Sequence, residues 1–303
     1  MAAASVIDRV RRFNRAVAEG IGVLDGHFLG RNRPVGEARV LWEIGKEGSE
    51  VRALRARLGL DSGYVSRVLR SLERQRLARV RTSATDERVR FACLTRAGLA
   101  ERRELDRRSD ALASRILEPL NERQRATLLA AMSEVERLIE ASLVTFAVED
   151  ATSADARWCF EQYFAELDAR FEEGFDPQLS LPITTADLTA PAGALVVARL
   201  RGRPVGCGAV KTPRNAPAHL RRMWVSPTVR GLGVGRRLLQ ELERTAWDLG
   251  ARRVRLDTHR SLTEAIAMYR RSGYTEAAPA SGERYADFWF EKRLRPPRRS
   301  ITL

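Results

Sequence analysis

Lysine is nearly missing from this 303-residue chain: Lys46, Lys211 and Lys292 are the only lysines among 53 basic residues. Cysteine is as scarce, with Cys93, Cys159 and Cys207 far apart and without a Cys-x-x-Cys pair or a histidine partner pattern. That excludes a disulfide framework and gives no support to a zinc site, so no metal is expected and a reducing compartment fits. Long apolar runs are missing too, none approaching the roughly 20 residues that cross a bilayer. The first residues, Met1-Ala-Ala-Ala-Ser5, carry no basic segment followed by an apolar one. The expectation is a cytoplasmic protein with no membrane partner. No internal repeat or low-complexity tract stands out, and Arg295-Pro-Pro-Arg-Arg299 reads as a frayed tail.

What the chain does have is arginine, within a formal net charge of +14. From Ser49 to Arg90 there are 11 arginines against 5 acids, an excess of six. Residues 1–150 together hold 28 basic and 22 acidic residues, the same excess, so this one stretch accounts for all of it. A local patch of that kind suits a polyanion, although a solvated arginine-rich face would look the same in composition alone.

The length favours two domains of about 100 to 200 residues each. Ile7 to about Ser142 reads as mostly helical, with a short β interruption near residues 78–94. After the polar step Glu149-Asp-Ala-Thr-Ser153, helices alternate with β-branched runs such as Ala194–Ala198 and Val205–Val210. The break is placed at 146–153, giving a mainly α domain over 1–146 and an α/β domain with a mixed central sheet over 150–296.

In the first domain, Glu50 to Leu58 reads as a helix stopped by Gly59, and Asp61 opens the next as its N-cap. That is the punctuation of a helix-turn-helix. Val65, Val68, Leu69 and Leu72 form one apolar stripe of the second helix, and Ser62, Gly63, Ser66, Arg67, Arg70 and Arg74 lie roughly opposite. Small residues let a backbone approach a major groove, and arginine there bonds guanine edges or clamps phosphates. Two strand-like runs, 78–81 and 89–94, then flank the polar tip Thr82–Arg88, a β-wing whose Arg88 suits the narrow minor groove with Asp86 orienting it. The run Leu60-Asp-Ser-Gly-Tyr-Val-Ser-Arg-Val-Leu-Arg-Ser-Leu-Glu73, the Asp86-x-Arg88 wing and Leu94-Thr-x-x-Gly98 together resemble the MarR family of bacterial transcriptional regulators, over about residues 5–143. The resemblance implies a winged helix-turn-helix homodimer on a near-palindromic double-stranded operator, nucleoid-associated when bound. Its dimer contacts would come from the first helix and the two long helices after Thr95. The stripe Leu128, Leu129, Met132, Val135, Leu138 and Ile139 serves that dimer or faces its own domain.

The sharpest motif lies further on, in Val225-Ser-Pro-Thr-Val-Arg230-Gly-Leu-Gly233-Val-Gly235-Arg236. A strand, His219–Val225, precedes it, and an apolar stripe through Leu238, Leu239, Leu242, Ala246 and Leu249 follows. A glycine-rich turn between strand and helix aims successive backbone N–H groups at a pyrophosphate. The spacing is neither the Gly-x-Gly-x-x-Gly of a dinucleotide fold nor a P-loop. It satisfies Arg-x-x-Gly-x-Gly and resembles the coenzyme A motif of the GNAT acetyltransferases, as does Thr263-Glu-Ala-Ile-Ala-Met-Tyr-Arg-Arg-Ser-Gly-Tyr274; the likeness spans about 150–294.

That resemblance implies an acetyl-CoA-dependent N-acetyltransferase in which a free amine attacks the thioester and a backbone N–H of the signature strand holds the oxyanion. It places Met223, Trp224 and Val225 beside the acetyl group and pantetheine. Arg230, Gly231, Leu232, Gly233, Val234, Gly235 and Arg236 fall on the pyrophosphate, and Tyr269 becomes the general acid. Many members carry an asparagine seven residues before this tyrosine; here the position is Leu262, and that contact is either absent or supplied by Thr258 or Ser261. His219 stands where a carboxylate often serves as base, and is a candidate for that role. Asp176 and Asp187 are candidate anchors for a small amine or peptide amine acceptor. Three functions remain open: a bifunctional regulator and acetyltransferase, a DNA-binding sensor that takes acetyl-CoA or an amine as effector without significant turnover, or an acetyltransferase whose N-terminal half only dimerises.

Overall fold

A computed structural model describes residues 3–20, 28–31, 33–82, 89–214, 216–279 and 282–296. The chain forms two compact units, 1–133 and 134–303, which divide inside helix α6 (Glu122–Ser142), upstream of the break expected from sequence.

The first unit runs α1 (Ala3–Gly20), α2 (Val35–Ile44), β1 (Ser49–Glu50), α3 (Val51–Leu58), α4 (Ser62–Arg74), β2 (Ala78–Thr82), β3 (Arg90–Leu94), α5 (Arg96–Leu117) and the start of α6. Local chemistry sets these boundaries. Gly59 closes α3 in the left-handed region (φ 64°), its N–H bonded to Arg55 O at 2.9 Å, and the Asp61 carboxylate caps α4 by accepting Tyr64 N–H at 2.9 Å. Val65, Val68, Leu69 and Leu72 are buried, packed with Leu41, Ile44, Leu54 and Leu105. The three strands lie in the order β1-β3-β2, and β2 pairs with β3 from Ala78↔Leu94 to Thr82↔Arg90. Asp86 and Arg88, expected at the tip of this hairpin, lie outside the described residues.

Thr95 caps α5 through Gly98 N–H at 3.1 Å, and Gly98 is the contact with the sheet: a Cβ there would meet Leu77 O at 1.9 Å. Asn121 and Gln124 cap α6 reciprocally, each side chain accepting the other's backbone N–H. Two apolar stripes remain uncovered. Val6, Ile7, Val10, Phe13 and Val17 of α1 are 41–53 % exposed, and Leu129, Met132, Leu138 and Ile139 of α6 about half exposed. Among the described residues nothing covers these four side chains, while Leu128 and Val135 of the same stripe are half-buried.

The second unit continues from the end of α6 through β4 (Thr145–Glu149), α7 (Ala154–Arg170), β5 (Gly193–Leu200), β6 (Arg203–Lys211), β7 (Ala218–Val225), α8 (Val234–Asp248), β8 (Arg253–Thr258), α9 (Thr263–Arg271), β9 (Thr275–Glu276) and β10 (Phe288–Arg293). Its sheet is mixed, in the order β4-β5-β6-β7-β8-β10-β9, antiparallel throughout except for the β7–β8 pair. Helix α7 covers one face, over Leu195, Val197, Cys207, Ala209 and Trp224; α8 and α9 cover the other, over Val196, Val210, Leu220, Val254, Leu256 and Phe290. Burial on both faces explains why Ala194–Ala198 reads as an unbroken apolar run. Helix α7 starts directly after Ser153, which caps it by accepting Ala156 N–H at 3.1 Å.

Candidate active site and nucleic-acid interface

The cleft of the second unit begins with a fault in β7. Its register with β6 slips between Cys207 and Ala209, and Arg222 takes a positive φ of 51°. The pair of observations marks a β-bulge, which bends the strand and re-aims the side chains after it. Leu220 packs toward α8, and past the bulge Met223 and Val225 do so, while Trp224 turns toward α7. β7 and β8 are in register only at Ala218↔Val254 and His219↔Arg255. Beyond His219 the two parallel strands are no longer paired, and a cavity of about 610 Å³ opens beside β7, bounded by Met223 and Val225, the glycine-rich turn, and Leu262, Ala265, Met268 and Tyr269.

At one end of this cavity Gly231 and Gly233 hold φ of 75° and 77°, where an L side chain is strained, and Gly233 leads directly into α8. Arg237 N–H is bonded to Gly233 O at 3.0 Å; the N–H groups of the helix's first turn before it have no acceptor within the helix. That end carries the positive pole of the helix dipole, and the exposed Arg236 adds a full charge. Gly235 lines the cavity close to α9, with a Cβ there 3.4 Å from Met268 Sδ. Val234 is buried in the core and Leu232 packs against the same cluster, so only their backbones face a ligand. Arg230 is committed inside the protein: its Nε donates to Val225 O at 2.9 Å and its guanidinium pairs with Glu166. Glu166 also accepts Trp224 Nε1–H at 2.8 Å and pairs with Arg170 at 3.1 Å, binding α7 to β7 and to the turn.

At the other end Tyr269 is buried, with its hydroxyl 3.9 Å from Met223 Sδ. Burial, reinforced by the Asp257 charge, pushes the Tyr269 pKa well above the usual phenol value, so it keeps its proton. Past Tyr269 and Met223 lies a second, smaller cavity of about 90 Å³, walled by Phe164, Phe171, Phe175 and Tyr285 and edged by Arg221, Arg222, Asp257, His259 and Glu283. His219 does not line either cavity; its Nε2 is 2.7 Å from Asp257 Oδ1, and it is Asp257 that faces the space.

The remaining candidates fall elsewhere. Thr258 lines the smaller cavity, and Ser261 bonds His259 Nδ1 at 2.8 Å; neither borders the larger one. Asp176 accepts Gln178 N–H at 2.8 Å and borders only a third, outer hollow. Asp187 is spent on its own loop and on Lys211, 2.9 Å away; the Thr184 N–H bond and then that lysine lower its pKa to about 2. Glu166, Asp257 and Arg222 were not singled out from sequence. Apart from the Glu166–Arg170 pair within α7, their partners lie tens of residues away, and no local spacing marks them.

In the first unit Ser62, Gly63, Arg67, Arg70 and Arg74 are exposed on one side of α4, with Ser66 half-buried among them. A Cβ at Gly63 would come within 3.1 Å of the Asp61 cap. Among the described residues none of these three arginines has a carboxylate partner, whereas Glu73 on the same helix accepts Val80 N–H at 2.9 Å and ties α4 to β2. The face is cationic, uncompensated and capped at its small-residue end.

Residues 155–274 match the model of the acetyltransferase (GNAT) family, and residues 29–89 that of the MarR family. An IAA acetyltransferase of Azospirillum brasilense is 32 % identical over 119 residues, 39 % of this chain and 78 % of that protein. An uncharacterised N-acetyltransferase of Schizosaccharomyces pombe is 30 % identical over 130 residues, 41 % of this chain and 77 % of that one. Among solved structures, Streptococcus pneumoniae FabT in complex with DNA aligns with 20 % identity and a TM-score of 0.40, over 44 % of this chain and 97 % of its own. GNAT acetyltransferases use acetyl-CoA, and the glycine turn at a helix N-terminus opening into an apolar channel suits its diphosphate and pantetheine arm. The chain belongs to the GNAT acetyltransferase family, and ahead of that domain it carries a winged helix-turn-helix segment of MarR type.

Proposed function

We propose that this protein is a bifunctional transcriptional regulator and N-acetyltransferase, its residues 1–146 binding operator DNA as a dimer and residues 150–296 acetylating a primary amine. The observation that carries the enzymatic half is the meeting of two cavities at Met223 and Tyr269, a donor channel on one side and a polar acceptor pocket on the other. Bound acetyl-CoA supplies the acetyl group as a thioester, whose C–S bond breaks as the amide C–N bond forms. The glycine turn and the first turn of α8 hold the diphosphate, and Met223, Val225, Leu262 and Met268 hold the apolar arm and exclude water. The edge of β7 left without a strand partner beyond His219 offers backbone N–H groups to the carbonyl oxygen. Asp257, backed by His219, takes the amine proton on the acceptor side, and the Tyr269 hydroxyl gives its own to the departing sulfur. Arg67, Arg70 and Arg74 with Ser62, Gly63 and Ser66 enter the major groove, and the uncovered stripes of α1 and α6 join two copies.

A sensor without turnover is favoured by one observation, Leu262 lining the donor channel where a polar contact is common in the family. Thiol release from acetyl-CoA across amino acids, polyamines and peptides separates the two. In Tyr269→Phe, kcat falls at least about tenfold with unchanged acetyl-CoA affinity. Because its proton is held well above the ordinary phenol range, wild-type kcat shows no alkaline fall below about pH 10 from this group. Tight acetyl-CoA binding with no turnover on any amine makes the protein a sensor.

A further inference from the structure

Arg222 occupies the bulge of β7 with its guanidinium over the rings of Phe160 and Phe164, at 4.9 and 5.2 Å from their centroids. It is half-buried and borders the smaller cavity. Every other half-buried arginine among the described residues of this unit has a carboxylate or carbonyl acceptor: Arg170, Arg199, Arg221, Arg230, Arg237 and Arg255. Arg222 has neither, and burial lowers its pKa, the signature of a cation short of counter-charge. The nearby carboxylate of Glu283 is engaged by other groups: its Oε2 takes Arg221 at 2.5 Å, Ser180 Oγ at 2.8 Å and Leu181 N–H at 3.0 Å, and its Oε1 takes Tyr285 N–H at 3.5 Å. Two guanidiniums against one carboxylate leave one positive charge at this edge of the pocket. Asp257 stands as the negative group on the same cavity.

A pocket with a positive group and a negative one, between aromatic walls, matches a ligand that carries both charges. We propose that Arg222 binds the carboxylate of the acetyl acceptor, and that the acceptor is therefore a small zwitterion of the amino-acid class, its amine toward Asp257 and Tyr269. The planar guanidinium, held flat by the two phenylalanines, presents paired N–H donors that a carboxylate accepts in bidentate fashion. Arg221 stays with Glu283 and shapes the pocket without meeting the ligand. The inference rests on the reading of the smaller cavity as the acceptor site.

The experiment compares L-amino acids with the amines that result from removing their carboxylates, for example L-methionine with 3-(methylthio)propylamine and L-phenylalanine with phenethylamine. Two readouts are taken: thiol release, and calorimetric binding of each probe to the full-length protein. The wild type is expected to favour the amino acid by at least about tenfold in kcat/KM, carried in KM, and in affinity, because removing the carboxylate leaves the guanidinium unpaired. In Arg222→Gln the preference collapses to within about threefold, and Arg222→Lys, which keeps charge without the fork, falls between. Equal or better use of the decarboxylated amines by the wild type overturns the proposal without touching a variant's folding, as does a preference that survives in Arg222→Gln. If no probe is acetylated, the acetyltransferase reading fails, and the binding comparison still decides whether Arg222 selects a carboxylate.

Discussion

Alanine separates three glycines of this chain by what an added methyl group would meet. At Gly233 the reason is conformational: φ is 77° and nothing lies within 4 Å of a Cβ, so Gly233→Ala strains only the backbone. The expected cost is about 1 kcal/mol of stability together with a several-fold loss of acetyl-CoA affinity, since the turn's N–H groups are re-aimed. At Gly235 the added methyl meets the flexible end of Met268 at 3.4 Å and Val225 Cγ2 in ordinary contact at 3.8 Å, and the loss of stability stays below about 0.5 kcal/mol. At Gly98 it meets the backbone oxygen of Leu77 at 1.9 Å, where α5 starts against β2, and Gly98→Ala is expected to cost more than about 2 kcal/mol. Thermal melts of the three variants, with cofactor titrations of the first two, give that order; a Gly233→Ala protein that binds acetyl-CoA as the wild type does would remove the turn from the donor site.

At the scale of single elements, α4 separates folding from recognition by face. Its inner residues are buried and its outer arginines touch no carboxylate among the described residues, so Arg67→Ala with Arg70→Ala is expected to leave the melting temperature within about 1 °C. Binding of a promoter fragment is lost at moderate salt, and the slope of log K against log salt shrinks by about two. Retained binding with an unchanged slope would mean that another surface meets the DNA. The same helix illustrates what was legible in the sequence. A cap at Asp61, a stop at Gly59, an apolar period of 3.6 and a strand–glycine–helix passage are all written within a few residues, and α4 and the β7–α8 turn were placed from them. The bulge at Arg222 was not, since a slip of register depends on β6. Strand β4 overlaps the break placed at 146–153, because Thr145, Ala147 and Val148 are exposed and only Phe146 and Glu149 half-buried, a pattern that shows no strand until β5 pairs with it. The Asp257–His219 contact joins neighbouring strands 38 residues apart in sequence, which no spacing rule reaches.

For the molecule as a whole, the uncovered stripes are its largest unmet demand. Five apolar side chains of α1, each 41–53 % exposed, and four of α6, about half exposed, are apolar surface that the proposed second copy would take out of water. Val10→Asp with Phe13→Asp is expected to convert a dimer to a monomer in sedimentation, and to weaken operator binding at least about tenfold because two half-sites are no longer engaged together. A wild type that sediments as a monomer at micromolar concentration would leave these stripes to some other partner.

Arg237 of α8 donates to Ala141 O and Val144 O at 2.6 and 2.7 Å and lies 5.0 Å over the Phe146 ring. A gene fragment cut at residue 150, where a linker was expected, would strip this arginine of both carbonyls and leave β5 with a raw edge. An isolated catalytic fragment meant to stay soluble should instead start upstream of Glu134 and keep the last two turns of α6 as its own N-terminal plug.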